Sequence, residues 1–140
     1  MKSSVIGLAV ACLALAGCAG KQRTEARSAS KMNDPCPLSV AGAQMQPSDV
    51  VGGIALDFTT KRSDVGELRR KVEEVAEMQN KHPAGRTSLP AASAMTEPLN
   101  RGARLVLRPE NPEQIQTLRQ SFSGQTAGGV CSMLIPTPRG

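Results

Sequence analysis

Two stretches of this chain repeat one plan, and that repetition restricts the fold more than any other feature. Gly52-Gly53 opens Ile54-Ala55-Leu56-Asp57-Phe58-Thr59, where Ile54, Leu56 and Phe58 alternate onto one face and Ala55, Asp57 and Thr59 onto the other. A period of two predicts a strand with one buried face. Asp64 follows as an N-cap with Glu67 three residues on, the spacing of a capping box. Val65, Leu68, Val72, Val75 and Ala76 then make one apolar stripe at helical spacing. Glu67/Lys71, Arg70/Glu74 and Glu77/Lys81 are opposite charges four apart on the wet sides of the same helix. His82-Pro83 ends it near Asn80, because the residue before proline is biased away from helix.

The second unit follows the same order. Gly102 opens a strand through Arg108, with Ala103, Leu105 and Leu107 on its inner face. Asn111 caps a helix that has Pro112 at its first position and Gln114 at the box position. Ile115, Leu118 and Phe122 form its stripe, and Gly124 is the expected stop. Gly53/Gly102, Leu56/Leu105 and Phe58/Leu107 are each 49 residues apart. Val65/Ile115, Leu68/Leu118 and Arg69/Arg119 are 50 apart, so one residue is inserted between strand and helix. The shared opening glycine and Leu-Arg pair point to a duplication.

Each strand is preceded by a segment able to pair with it as a hairpin, Gly42 to Pro47 and Ala91 to Glu97. The expected fold is therefore α+β. It is a two-layer sandwich from a duplicated ββα unit, with a four-stranded, mainly antiparallel sheet and two helices on one face. The alternative is a ferredoxin-like split βαβ arrangement. The repeats cover about residues 42–82 and 91–124 of a single domain, 36–140. Residues 83–92, with Pro83, Gly85 and Pro90, join them.

The N-terminus has different physics. Lys2 supplies one positive charge before an almost unbroken apolar run, Val5 to Ala16. About twelve helical residues span roughly 18 Å, against a hydrocarbon core of about 30 Å. That is short for a transmembrane helix and suits a signal peptide. The run ends in Leu15-Ala16-Gly17-Cys18, which resembles the lipobox of bacterial lipoproteins. The resemblance implies removal of residues 1–17 and acylation of Cys18, with residues 18–35 as anchor and flexible tether. Two or three acyl chains hold far more firmly than one, at about 0.8 kcal/mol per buried CH₂. Ala19-Gly20 offers no aspartate beside the anchor, which by the enterobacterial sorting pattern implies the outer membrane, facing the periplasm. From Cys36 onward the chain is also similar to small lipoproteins of myxobacterial type. The likeness rests on its Cys-Pro start, its strand-then-Leu-Arg-helix repeat and a late Cys131. That likeness implies a fold family and no activity.

Four cysteines then reduce to two, because Cys12 leaves with the signal and Cys18 is acylated. Cys36 and Cys131 flank the whole domain, and in an oxidising compartment such thiols tend to pair. The rival reading is a soft-metal site for Cu(I) built from Met78, His82, Cys131 and Met133, since thiolate and thioether suit that ion. Met78 and His82 are four apart on the first helix, but methionine is also an ordinary filler of cores.

Other chemistries find little to work with. His82 is the only histidine, and no nucleophile-elbow motif surrounds any serine. Glu67, Glu73, Glu74 and Glu77 are spaced as solvated helix charges rather than a converging acid/base pair. Asp57 is the odd acid, set in mid-strand, and Arg104 on the same outer face is its expected partner if the two long strands are neighbours. Gly128-Gly129 precedes a cysteine and an apolar tail rather than a helix, so no phosphate-cradling loop is expected. After the signal is removed, 16 basic and 12 acidic residues leave a net charge of about +4. The basic residues are scattered, and Phe58 and Phe122 are the only aromatics, which argues against nucleic-acid binding and sugar platforms alike. The expected function is a non-enzymatic, membrane-anchored domain that binds or scaffolds another envelope component. Its expected contact surface is the outer sheet face of Ala55, Asp57, Thr59, Arg104, Val106 and Arg108.

Overall fold

A computed structural model describes residues 34–61, 63–81 and 88–136. The proposed signal, Cys18, the tether up to residue 33, His82 and residues 83–87 of the inter-unit joint lie outside the described residues. Strand β1 (Gln44–Val50) turns through Val51-Gly52 into β2 (Gly53–Thr59), and helix α1 (Val65–Lys81) follows. Strand β3 (Ala92–Leu99) turns into β4 (Gly102–Pro109), and a 3-10 turn (Pro112–Gln114) leads into helix α2 (Ile115–Phe122). A third helix, α3 (Ala127–Leu134), comes last, and a second 3-10 turn covers Pro37–Ser39.

The sheet is open, wholly antiparallel, and ordered β1-β2-β4-β3. Both hairpins are made of consecutive strands, so the chain runs ββαββα and the split βαβ alternative is not what forms. Leu56 faces Leu105 across the central β2–β4 seam. These are equivalent positions of the two repeats, so a pseudo-twofold axis passes between them. The glycines obey the same symmetry. A Cβ on Gly53 would collide with the Leu107 carbonyl, and one on Gly102 with the Phe58 carbonyl, which is the equivalent atom. The seam brings these backbones too close for any side chain there.

Inner-face residues Ile54, Leu56, Phe58, Ala103, Leu105 and Leu107 are buried, as their alternation predicts. They meet Leu68, Val72, Val75 and Ala76 of α1 with Leu118 and Phe122 of α2 in one core. Helix α2 ends at Phe122, and Gly124 beyond it takes a left-handed φ of 70°. The helices are exchanged between the units: α1 packs chiefly on β3 and β4, while α2 packs chiefly on β2. Arginines lock the exchange. Arg69 of the first unit donates from Nε to the Gly102 carbonyl (2.9 Å) and from Nη2 to the Leu99 carbonyl (2.5 Å), at the second hairpin's turn. Arg119 of the second unit donates from Nε to the Gly53 carbonyl (3.2 Å) and from Nη2 to the Val50 carbonyl (3.0 Å), at the first. The Leu-Arg pair shared by the repeats is thus one apolar contact and one cross-unit clamp.

Three expectations need correcting. Gly128-Gly129 does lie in a helix, the first turn of α3. Its N-cap Thr126 accepts from the Gly129 N–H at 3.4 Å, and Val130 and Leu134 drive its inner side into the core. The layer therefore holds three helices rather than two. Lys71, expected on a wet side, is 1 % exposed. It keeps Glu67 at 3.9 Å and donates to the Asp34 carbonyl, so it pins the start of the described chain to α1. The Arg70–Glu74 and Glu77–Lys81 pairs form on the surface as expected.

Candidate interaction surface

Cross-strand register sets the outer face of the sheet in rows. One row reads Gln46, Asp57, Arg104, Glu97, and the next reads Ser48, Ala55, Val106, Met95. In the first, Asp57 and Arg104 form the expected pair. Arg104 donates from Nε to Oδ1 at 2.6 Å and from Nη2 to Oδ2 at 2.9 Å, a two-pronged geometry only arginine supplies. Glu97 flanks the guanidinium at 3.8 Å. The hydrogen bonds that Arg104 donates to Asp57, and then the charge of Asp57, raise the Arg104 pKa above the ordinary arginine value, with Glu97 adding a smaller push. Desolvation opposes these and is outweighed. This ion pair ties the two central strands at the pseudo-twofold seam.

The second row departs from expectation. Ala55 and Val106 are buried although they point outward, while Arg108 is exposed and Asp57, Thr59 and Arg104 are half-buried. The outer face is therefore not an open contact surface across all six residues. Its most exposed apolar side chain is Met95, at 55 %, with Arg108 at its sulfur (3.9 Å). The edges of the sheet are blunted by different means. Pro47 and Pro98 sit in the two edge strands, where a missing N–H discourages further pairing. On β3 the Asn80 side chain also takes both backbone groups of Ala94, accepting from its N–H and donating to its carbonyl at 2.9 Å each.

The cysteines do pair. Cys36 and Cys131 form a disulfide across 95 residues, with a Cα–Cα distance of 5.5 Å. It joins the Pro37–Ser39 turn to the middle of α3. Asp34 braces this corner by accepting the Cys36 N–H at 2.9 Å, and Gln79 donates to the Leu134 carbonyl at the end of α3 (2.7 Å). One side of α3 (Val130, Leu134) enters the core, and the other (Ala127, Gly128, Cys131, Ser132) forms one wall of an open groove. The N-terminal segment forms the opposite wall, and the groove measures about 520 Å³.

The Cys131 sulfur is bonded to Cys36, Met78 and Met133 pack against the core, and His82 is outside the described residues. Among the described residues, no group of three or more His, Cys, Asp or Glu side chains gathers as a metal site. The groove and α3 were hidden from sequence reading by Gly128-Gly129, poor helix formers in the first turn. The usable signal was Thr126 as N-cap, with Val130 and Leu134 four apart behind it. No family model, no curated protein and no solved structure matches this chain.

Proposed function

We propose that this chain is the precursor of an envelope lipoprotein, cut before Cys18 and held on a membrane by acyl chains there. The outer membrane, facing the periplasm, is the favoured site. The domain from Cys36 onward then serves as a small binding or structural module. The observation that carries this reading is the Cys36–Cys131 disulfide, because such bonds persist in oxidising compartments outside the cytoplasm. Export is also what the charged start, short apolar run and Leu15-Ala16-Gly17-Cys18 would bring about. A non-catalytic role is favoured by how the polar groups are used. Asp57 holds Arg104, Arg69 and Arg119 hold hairpin carbonyls, and Lys71 and Gln79 hold backbone.

The test is metabolic labelling with a palmitate analogue in a bacterial host. The expected product is a labelled, membrane-bound chain shortened by 17 residues, with label and membrane retention lost in Cys18→Ser. A wild-type chain that carries no label, or a Cys18→Ser variant that keeps it, would overturn the anchor.

A further inference from the structure

We infer that the Cys36–Cys131 bond is an accessible exchange site in the folded domain, reduced by a dithiol protein that docks at the groove beside it. A staple that serves stability alone is best shielded. Here Cys36 and Cys131 both line the open 520 Å³ groove instead. Beside the two cysteines the groove is lined by the small Ala127, Gly128 and Ser132 and the apolar Leu38, Ile135 and Pro136, so it is mostly apolar and open on one side. Cys36 is only 8 % exposed, whereas Cys131 is half-buried on the groove side of α3. Access therefore directs attack to Cys131.

The step balances without any further reagent. A thiolate of the partner attacks the Cys131 Sγ, the Cys36–Cys131 bond breaks, and its electron pair leaves on the Cys36 Sγ, which takes up a proton. A mixed disulfide now joins the partner to Cys131. The partner's second thiolate attacks its own bonded sulfur and releases Cys131, which is protonated in turn. The partner dithiol ends as a disulfide, and Cys36 and Cys131 end as two thiols. The Asp34–Val40 segment thereby loses its covalent tie to α3 and keeps the Lys71 contact with the Asp34 carbonyl, the burial of Pro37 and Val40 and the packing of Leu38 on the core.

Exchange on the folded protein is tested with the full chain, by alkylation and peptide mapping of Cys36 and Cys131 at fixed times. Reduced glutathione and a thioredoxin-type dithiol protein are the two probes. The rate should rise linearly with thiol and stay flat across low urea. A rate that saturates with thiol and climbs steeply with urea would mean that unfolding must come first, which overturns accessibility. In the glutathione arm, the mixed disulfide should map to Cys131 with Cys36 alkylated; the reverse would refute the direction of attack. The dithiol protein should react on the order of tenfold faster per thiolate than glutathione, and equal rates would overturn docking. Gly128→Phe supplies a control at a position where a Cβ meets nothing within 4 Å. It should slow the dithiol protein by on the order of tenfold while leaving the urea midpoint unlowered. An unchanged rate in that variant would remove the groove from the reaction.

Discussion

Replacing Arg119 by alanine should loosen the hairpin of the other repeat. The guanidinium donates to the Val50 and Gly53 carbonyls at 3.0 and 3.2 Å, on strands more than sixty residues away, and it meets Asp49 at 3.2 Å. Hydrogen bonds from a charged donor contribute about 1.5–3 kcal/mol. With the side chain 26 % exposed, the lower end applies to the pair of bonds, and the Asp49 contact adds less than about 1 kcal/mol. A loss of roughly 2 kcal/mol is the working figure, or about thirtyfold in an opening equilibrium. Hydrogen exchange read by mass spectrometry should therefore show Val50–Gly53 opening faster, while Leu99–Gly102 is unaffected. Arg69→Ala should do the converse, deprotecting Leu99–Gly102 and sparing Val50–Gly53. Arg119→Lys should recover little, because one ammonium cannot reproduce the two-pronged geometry. If either alanine variant deprotects the hairpin of its own repeat, or both hairpins equally, the exchanged arrangement is wrong.

Cys36→Ser with Cys131→Ser releases a 95-residue closure, worth about 4.7 kcal/mol at most by chain entropy. Urea titration should show the midpoint falling steeply, with dithiothreitol causing the same fall in the wild type and none in the variant. Gly53→Ala or Gly102→Ala should cost about 1–3 kcal/mol, since the new Cβ meets backbone that cannot give way. Gly66→Ala, inside α1 with open space around it, should instead add about 0.5–1 kcal/mol; thermal unfolding of the three variants compares them directly. Arg104→Gln should destabilise by the same amount at every pH from about 6 to 9. Because the folded-state pKa of Arg104 is raised, its contribution is complete below the unfolded value and is lost only in strong alkali. A marked slope of that difference, in urea titrations across the range, would show that another group titrates with the pair.

A local period in the residues reports which side of each element is buried. Alternation at Ile54-Leu56-Phe58 and Ala103-Leu105-Leu107 named the buried sheet face, and the 3.6 period named the inner sides of α1 and α2. A shared outer face made Asp57 and Arg104 expected partners on condition that the two long strands are neighbours, and the β2–β4 pairing meets that condition. The flanking cysteines were legible from compartment logic. The rest depends on how distant segments pack. Charge patterning put Lys71 in water, yet the arrival of the Asp34 segment over α1 buries it and supplies its acceptor. Intrinsic propensity spoke against a helix at Gly128-Gly129, and the packing of Val130 and Leu134 overrides it. The exchange of helices between the repeats left no trace in periodicity, because Arg69 and Arg119 are clamped by backbone carbonyls, which every sequence has. Which carbonyls they reach is settled by docking one unit on the other, and no residue type announces that.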